Sequence, residues 1–263
     1  MRDAGLDRAI DAAGGVAQLA RKIRISQPSV SNWSKIPAQR VIAVEAATGV
    51  PRAELRPDLY PDHYDERTVS QDRVDPIDVA RAQEYALLAA LLAAAPSKSL
   101  LSRLAGLDGD ATPLGQAHAA LAEAASCATA AQIEREYFDL FVGLGRGELL
   151  PYASYYLTGF LNERPLSRLR SDLAALGIAC VERNSEPEDH AAILCEIMAG
   201  MADGRLQSPS DAQRALFEKH VSPWMERLFA DMEQAASAKF YRAVGTLGRR
   251  FIEIERQAFS FAK

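Results

Sequence analysis

The chain has 263 residues, a formal net charge of -5 at pH 7 and three cysteines. That length suits one large domain or two smaller ones, and either can bury a core. The first eleven residues contain acids and no apolar run, so we expect no secretory leader. The longest apolar stretch, Tyr85–Ala95, stops at Pro96 and is too short to span a bilayer. These features predict a cytoplasmic protein that does not insert into membranes.

The cysteines exclude two further classes of protein. Cys127, Cys180 and Cys195 lack metal-ligand spacing, and three is a poor number for a disulfide framework. A reducing compartment fits this usage. The sequence therefore predicts neither a bound metal nor a cofactor.

Charge and composition divide the chain. Residues 1–61 contain nine basic and six acidic residues, hence +3, whereas residues 62–263 have a net charge of -8. Only the first segment is a candidate for nucleic acid on charge grounds. Alanine and leucine dominate while β-branched residues are sparse, which predicts an all-α fold.

The first 60 residues are predicted to form short helices. Apolar stripes with helical spacing begin near Leu6, Val16, Val30 and Val41. Two stripes end at glycine and the third follows Ser26, a residue type that caps helices. We assign residues 1–60 to a helix-turn-helix domain.

A change in composition and the loss of apolar periodicity then predict a linker at residues 61–74. The surrounding segment contains Pro57 and Pro61, many charges and little apolar periodicity. Asp75 followed by Pro76 is a helix-start signal, so the large domain is placed at residues 75–263. After that first helix, further helices are expected over 97–105, 114–125, 129–142, 152–162, 166–176, 187–202, 210–231 and 237–261.

The second and third helices of the small domain have the layout of a DNA-reading pair. Polar side chains at the start of a recognition helix suit major-groove contacts, and nearby cations suit phosphates. The predicted DNA-binding residues are Arg21, Lys22, Arg24, Gln27, Ser29, Ser31, Asn32 and Lys35.

This segment resembles the Cro/YdaS-type antitoxin and repressor family from about Leu6 to Tyr60. The family usually has glycine in the turn, where this chain has Arg24. A left-handed conformation there would cost Arg about 1 kcal/mol relative to Gly. The resemblance implies duplex DNA as a partner. The competing interpretation is a degenerate module kept for dimerisation or packing.

Two passages of the large domain carry candidate binding chemistry. The first runs from Tyr137 to Tyr156 and contains glycines at positions 143, 145 and 147. These glycines do not make a phosphate loop, since no Lys-Ser/Thr pair and no preceding strand is present. The second passage runs from Asn184 to His190. Ser185 and Glu188 predict a capping box there, but a helix start does not require Asp189 beside His190.

Together these passages resemble the TorD/DmsD family of molybdoenzyme chaperones, over roughly residues 75–263. An aromatic-x-x-Leu-Phe helix, a Pro-aromatic-x-Ser stretch and a Glu-Pro-x-Asp-His signature occur in the family's order. The client-binding residues that the resemblance implies are Tyr137, Leu140, Phe141, Pro151, Tyr152, Ser154, Tyr156, Glu186, Pro187, Glu188, Asp189 and His190.

The resemblance implies binding rather than catalysis. Family members bind the twin-arginine leader or the apo-form of a molybdenum-cofactor oxidoreductase until the cofactor is inserted. Apolar and aromatic residues would receive the leader's apolar stretch, and Glu188 and Asp189 would accept from its guanidinium groups. The family includes swapped dimers, so a homodimer is left open.

Parts of the sequence also fit two other functions. A transcriptional regulator would use the large domain to sense a client or ligand and the helix-turn-helix to bind DNA. A hydrolase would need Asp189, His190 and a nucleophile, but Ser154 is predicted on a different helix and no oxyanion loop is apparent. The sequence therefore favours a non-enzyme.

Overall fold

The structure is a computed structural model that describes residues 3–58, 75–179, 186–209 and 211–261. The chain divides into two compact units, Met1–Arg73 and Val74–Lys263. The described residues form helices and no β-strand, which confirms the predicted all-α fold class. The predicted linker, 61–74, lies outside the described residues.

The described part of the small unit contains five short α-helices and one 3-10 turn, Ala38–Arg40. Gly14 and Gly49 follow two of them with φ of 87° and 73°, a left-handed conformation in which glycine is least strained. The helices are α1 (Ala4–Ala13), α2 (Val16–Lys22), α3 (Gln27–Ser31), α4 (Val41–Thr48) and α5 (Arg52–Leu55).

The apolar stripes of the small unit meet in one core. Leu6, Leu19 and Val30 are fully buried, and they come from α1, α2 and α3. A Cβ atom on Gly5 would lie 2.1 Å from the carbonyl oxygen of Leu55. Glycine is therefore required where α1 approaches α5.

The large unit contains longer helices and two π-helical turns, Phe138–Val142 and Phe217–Val221. Its first helix begins after Asp75, whose side chain accepts from the amide of Ile77, as predicted. The helices are α6 (Pro76–Ala93), α7 (Lys98–Leu104), α8 (Pro113–Cys127), α9 (Ala130–Tyr137), α10 (Ala153–Thr158), α11 (Arg164–Ala175), α12 (Ala191–Ala202), α13 (Ala212–Leu216), α14 (Met225–Gln234) and α15 (Phe240–Phe261).

Three of the predicted helices have wrong boundaries. The helix expected over 210–231 is interrupted before α14, because Pro223 has no amide hydrogen to continue the helical ladder. The helix expected over 152–162 ends at Thr158, since Gly159 adopts a left-handed conformation with φ of 84°.

The helix expected over 187–202 begins instead at Ala191, with His190 as its N-cap. Pro187 lies in the preceding turn, where its carbonyl accepts from the amide of His190 at 3.0 Å. Glu188 therefore stands outside the helix and does not complete the predicted capping box. Ser185, the other half of that box, lies outside the described residues.

Helix α12 lies in the core of the large unit and packs against α6, while α14 packs against α15. Every residue of α12 is buried except Glu196. Gly248 allows close contact of α14 and α15, because a Cβ there would lie 2.3 Å from the ring of Phe229. None of the helices in the described ranges has both the length and the apolar character needed to cross a bilayer.

Candidate functional site

The two sequence passages meet at a short antiparallel bridge between Tyr152 and His190. The amide of Ala191 donates to the carbonyl of Pro151 at 2.8 Å, and the Tyr152 and His190 rings lie edge to face at 5.0 Å. A backbone hydrogen bond and a ring contact therefore hold the start of α10 next to the start of α12. The structure thus brings together two motifs that lie far apart in the sequence.

Asp189 adds a buried hydrogen bond between the same two segments. Its carboxylate is 1% exposed, and Oδ2 accepts from the amide of Ser154 at 2.8 Å. A carboxylate buried in this way offers no acceptor to a peptide at the surface, so the predicted contact of Asp189 with a guanidinium is corrected. Asp189 instead positions α10 against the turn that carries Glu186. Ser154 is likewise buried.

His190 is 6% exposed and caps the start of α12. Its Nδ1 accepts from the amide of Ala192 at 3.1 Å, which leaves Nε2 as the protonated nitrogen of the neutral ring. Burial lowers the pKa of His190, despite the opposing effect of Glu186 and Asp189. The Oγ of Ser154 has no partner among the described atoms, so Ser154 and His190 form no nucleophile–base hydrogen bond.

A cleft of about 480 Å³ opens beside this bridge. Small side chains of α6 and α12 make its floor, and polar side chains stand around it. The lining residues are Ala86, Ala89, Ala90, Ala93, Tyr137, Glu186, His190, Ala192, Ile193, Glu196, Ala199 and Arg205. We refer to this surface as the first cleft.

Two carboxylates give the first cleft an acidic character. Glu186 is exposed and accepts from the Tyr152 hydroxyl at 2.5 Å, a contact that raises the pKa of Tyr152 further above its ordinary value than burial alone. Glu196 is exposed and forms no ion pair with any described residue. Arg205, the cation of the cleft, is held 2.6 Å from Asp203.

Glu196 is a further candidate that was not predicted from the sequence, although a signal for it is present there. An acid within the apolar run Ile193–Met201 is unusual on a helix that is otherwise buried. Such an acid is retained only where a partner or an opening receives it. The opening in this chain is the first cleft.

The aromatic helix motif is divided between cleft and core. Tyr137 lines the first cleft and donates to the carbonyl of Leu92 at 3.2 Å. Phe141 is half-buried and packs on Tyr137 and Tyr241, with ring centroids 5.0 and 5.3 Å away. Leu140 is fully buried, so its predicted contact with a client is corrected to a core contact. Both lie on the π-helical turn Phe138–Val142, a distortion that is frequent at functional sites.

Other predicted site residues lie outside the first cleft. Glu188 is paired with Arg170 at 2.7 Å, and this hydrogen bond holds the pKa of Glu188 below its ordinary value. Glu188 is thus not a free acceptor. Tyr156 packs on Trp224 and lines a separate 330 Å³ cleft that also contains Arg227.

The predicted DNA-binding residues are mostly accessible. Ser26 caps α3, as predicted, and Arg24 adopts φ of 55°, the left-handed conformation considered for the turn. Lys35 is an exception, because it is half-buried and its Nζ lies 3.0 Å from Asp58. That ion pair competes with a phosphate contact. The exposed members of the set are Arg21, Lys22, Arg24, Gln27, Ser29, Ser31 and Asn32.

Within the described ranges, no group of three or more His, Cys, Asp or Glu side chains is arranged to hold a metal ion. The free thiols there are those of Cys127, which is exposed, and Cys195, which is buried. Cys180 lies outside the described residues.

Comparison with known proteins supplies two family matches. Residues 107–230 match the family of nitrate reductase delta subunits, and residues 6–64 match the family described as bacterial toxin YdaS. The chaperone protein TorD of Vibrio cholerae serotype O1 is 31% identical over 134 residues, which cover 48% of this chain and 61% of that relative. The resemblance to the TorD family is confirmed.

A second TorD chaperone and one solved structure are also similar to this chain. The chaperone protein TorD of Vibrio atlanticus is 25% identical over 136 residues, covering 48% of this chain and 63% of that relative. This chain therefore spans about three fifths of the length of these TorD relatives. A solved structure described as a candidate redox enzyme maturation protein from Archaeoglobus fulgidus is 18% identical, with a TM-score of 0.46, and covers 66% of this chain and 93% of its own.

Proposed function

We propose that the large unit is a cytoplasmic chaperone that binds the twin-arginine leader, the apo-form, or both, of a molybdenum-cofactor oxidoreductase. It would hold its client until the cofactor is inserted and the client is exported. In this proposal the unit binds and releases, and it performs no covalent chemistry. The similarity to proteins named as TorD chaperones supports this class of function.

The observation that carries the proposal is the composition of the first cleft. Glu186 and Glu196 are both exposed there, which matches two acceptors to the two guanidinium groups of a leader. Hydrogen bonds between guanidinium and carboxylate are short and about twice as strong as neutral ones. Tyr137 and the alanine floor supply apolar contacts beside them. The net charge of -8 over residues 62–263 would speed the approach of a basic segment.

Calorimetric titration with a synthetic twin-arginine leader tests the proposal. Glu186→Gln and Glu196→Gln should each weaken binding about tenfold, because each removes a charge-assisted acceptor. Glu123→Gln is the matched control, since Glu123 is an exposed acid on α8 outside the cleft. Equal affinities for all three variants and the unaltered chain would contradict the proposal.

A second function, DNA binding by the small unit, is favoured by a separate observation. Gln27, Ser29 and Asn32 are exposed on and just after α3, and Arg21 and Lys22 are exposed beside them. This arrangement places hydrogen-bonding side chains next to cations that suit phosphates.

Titration of the full chain with duplex DNA from its own locus tests this second function. Affinity should fall as salt rises, and changing Arg21 and Lys22 together to Ala should weaken binding equally on all sequences. Absence of binding at low salt would leave the small unit a role in packing or dimerisation. If leader binding also changes DNA affinity, the chain acts as a regulator that senses its client.

A further inference from the structure

A second and larger cleft, of about 1110 Å³, lies between α6, α7, α8 and α15. Its walls contain apolar side chains that are only partly buried, although the same residue types elsewhere in the unit fill the core. They include Leu87, Leu100, Leu107, Leu114 and Ile254, the last of which is 42% exposed. We refer to this surface as the second cleft.

The charged groups of the second cleft are largely paired with one another. Arg81 binds Glu255 through two hydrogen bonds of 2.6 and 2.7 Å, and Glu255 is 1% exposed. His118 Nε2 lies 3.0 Å from Glu84. Paired charges offer little to a charged ligand, so the second cleft suits an apolar one.

The two clefts adjoin each other on α6. Ala86 and Ala90 line both clefts, and among the described residues only their small side chains stand at the boundary between the first cleft and the second. The joined surface follows α6 from Pro76 to Ala93. One end carries the exposed acids Glu186 and Glu196, and the other end is apolar.

The dimensions and polarity match those of a leader peptide. The second cleft follows α6 from Pro76 to Ala90, which is about 21 Å of helix. The apolar stretch of a secretory leader has roughly 7–15 residues, which as a helix is about 10–22 Å long. Because the arginine pair precedes the apolar stretch, a leader with its arginines at Glu186 and Glu196 would run antiparallel to α6.

We propose that the second cleft is the binding site for the apolar stretch of the leader, while the first cleft binds its arginine pair. This inference rests on the proposed function and adds a site, a direction and an order of segments. The occupant is a peptide with a basic end and an apolar end, because the joined surface has those two complementary ends.

The test uses the full chain and two synthetic peptides. One peptide has an Arg-Arg pair followed by leucine and alanine, and the other keeps the arginine pair but replaces the apolar stretch with serine and asparagine. Ala80→Trp fills the second cleft without touching the first, because Ala80 is exposed and lines only the second. Ala120→Trp on α8 is the control, since Ala120 is exposed and lines neither cleft.

The unaltered chain and Ala120→Trp should bind the apolar peptide at least about tenfold more tightly than the polar one. In Ala80→Trp this preference should disappear while binding of the polar peptide stays unchanged. Ile254→Gln should reduce the preference without filling the cleft. A photoreactive group at the end of the apolar stretch should label α15 near Ile254, and one beside the arginine pair should label α12 near Glu196.

Three results would overturn the inference, and they are distinguishable. A full apolar preference in Ala80→Trp overturns it alone and leaves the proposed function standing. Failure of the unaltered chain to bind either peptide overturns leader binding as a whole and leaves only the apo-form of the proposed function as client. A dimer in sedimentation that Ala80→Trp dissociates, with the apolar preference intact, would assign the second cleft to a second copy of the chain.

Discussion

Replacing Asp189 should primarily destabilise the large unit rather than remove a contact with a client. The Asp189 carboxylate is buried, and its Oδ2 accepts from the buried amide of Ser154 at 2.8 Å. Asp189→Ala removes this acceptor and leaves the Ser154 amide without a partner. A hydrogen bond to a charged group contributes about 1.5–3 kcal/mol, so the free energy of unfolding should fall by about that amount.

Asp189→Asn separates the contribution of the hydrogen bond's geometry to stability from that of the negative charge. An asparagine oxygen can still accept from Ser154, but a neutral hydrogen bond contributes only about 0.5–1.5 kcal/mol. The loss of stability should therefore be smaller than in Asp189→Ala. For a unit of this size, each 1 kcal/mol corresponds to a shift of about 2–4 °C in melting temperature.

Urea and thermal unfolding of both variants measure these losses. The expected order of stability is the unaltered chain, then Asp189→Asn, then Asp189→Ala. An Asp189→Ala variant with the melting temperature of the unaltered chain that nevertheless fails to bind leader would contradict a structural role for Asp189. It would show that the carboxylate is available to the client.

Three more predictions follow from single contacts. Arg24→Gly should stabilise the small unit by up to about 1 kcal/mol, because it relieves the left-handed conformation at φ of 55°, while Arg24→Ala should not; amide exchange in α2 measures both. Glu136→Ala should cost about 2–4 kcal/mol in urea unfolding, since its carboxylate accepts from three backbone amides at the start of α15; an unchanged midpoint would contradict this. Burial lowers the pKa of His190, so the stability that its neutral ring contributes is lost as pH falls below about 6.5. The hydrogen bond to Glu84 raises the pKa of His118, so protonated His118 stabilises the folded state at acidic pH. Between pH 7 and 5, His190→Asn should thus reduce the acid loss of stability and His118→Asn should increase it; equal slopes would refute the assignment.

Local chemistry made much of the helical pattern predictable. Asp75 before Pro76, Ser26 before α3, and Gly14 and Gly49 after α1 and α4 are cap signals that act within a few residues. Such signals can be read from the sequence alone because their partners are close in the chain. The boundary at Pro223 was missed even though a local rule, the missing amide hydrogen of proline, accounts for it.

The site was less predictable, because its geometry depends on contacts across the fold. Asp189 was predicted to accept from a guanidinium group of the client, but its buried carboxylate accepts from the amide of Ser154, 35 residues earlier in the chain. The next residue, His190, caps α12, which therefore starts at Ala191. Glu196 is exposed on an otherwise buried helix and lines the first cleft together with alanines of α6. Pattern and spacing identify such residues, but burial decides which of them face a ligand.

Leader binding in the first cleft depends on Glu196 accepting a hydrogen bond from an arginine of the leader. A double-mutant cycle tests this most directly, combining Glu196→Gln with a leader in which one arginine is changed to glutamine, and measuring all four affinities by calorimetry. A direct hydrogen bond should give a coupling free energy of about 1.5–3 kcal/mol for one of the two arginines. Additive effects at both arginines would contradict it, because Glu196 and the leader would then act independently.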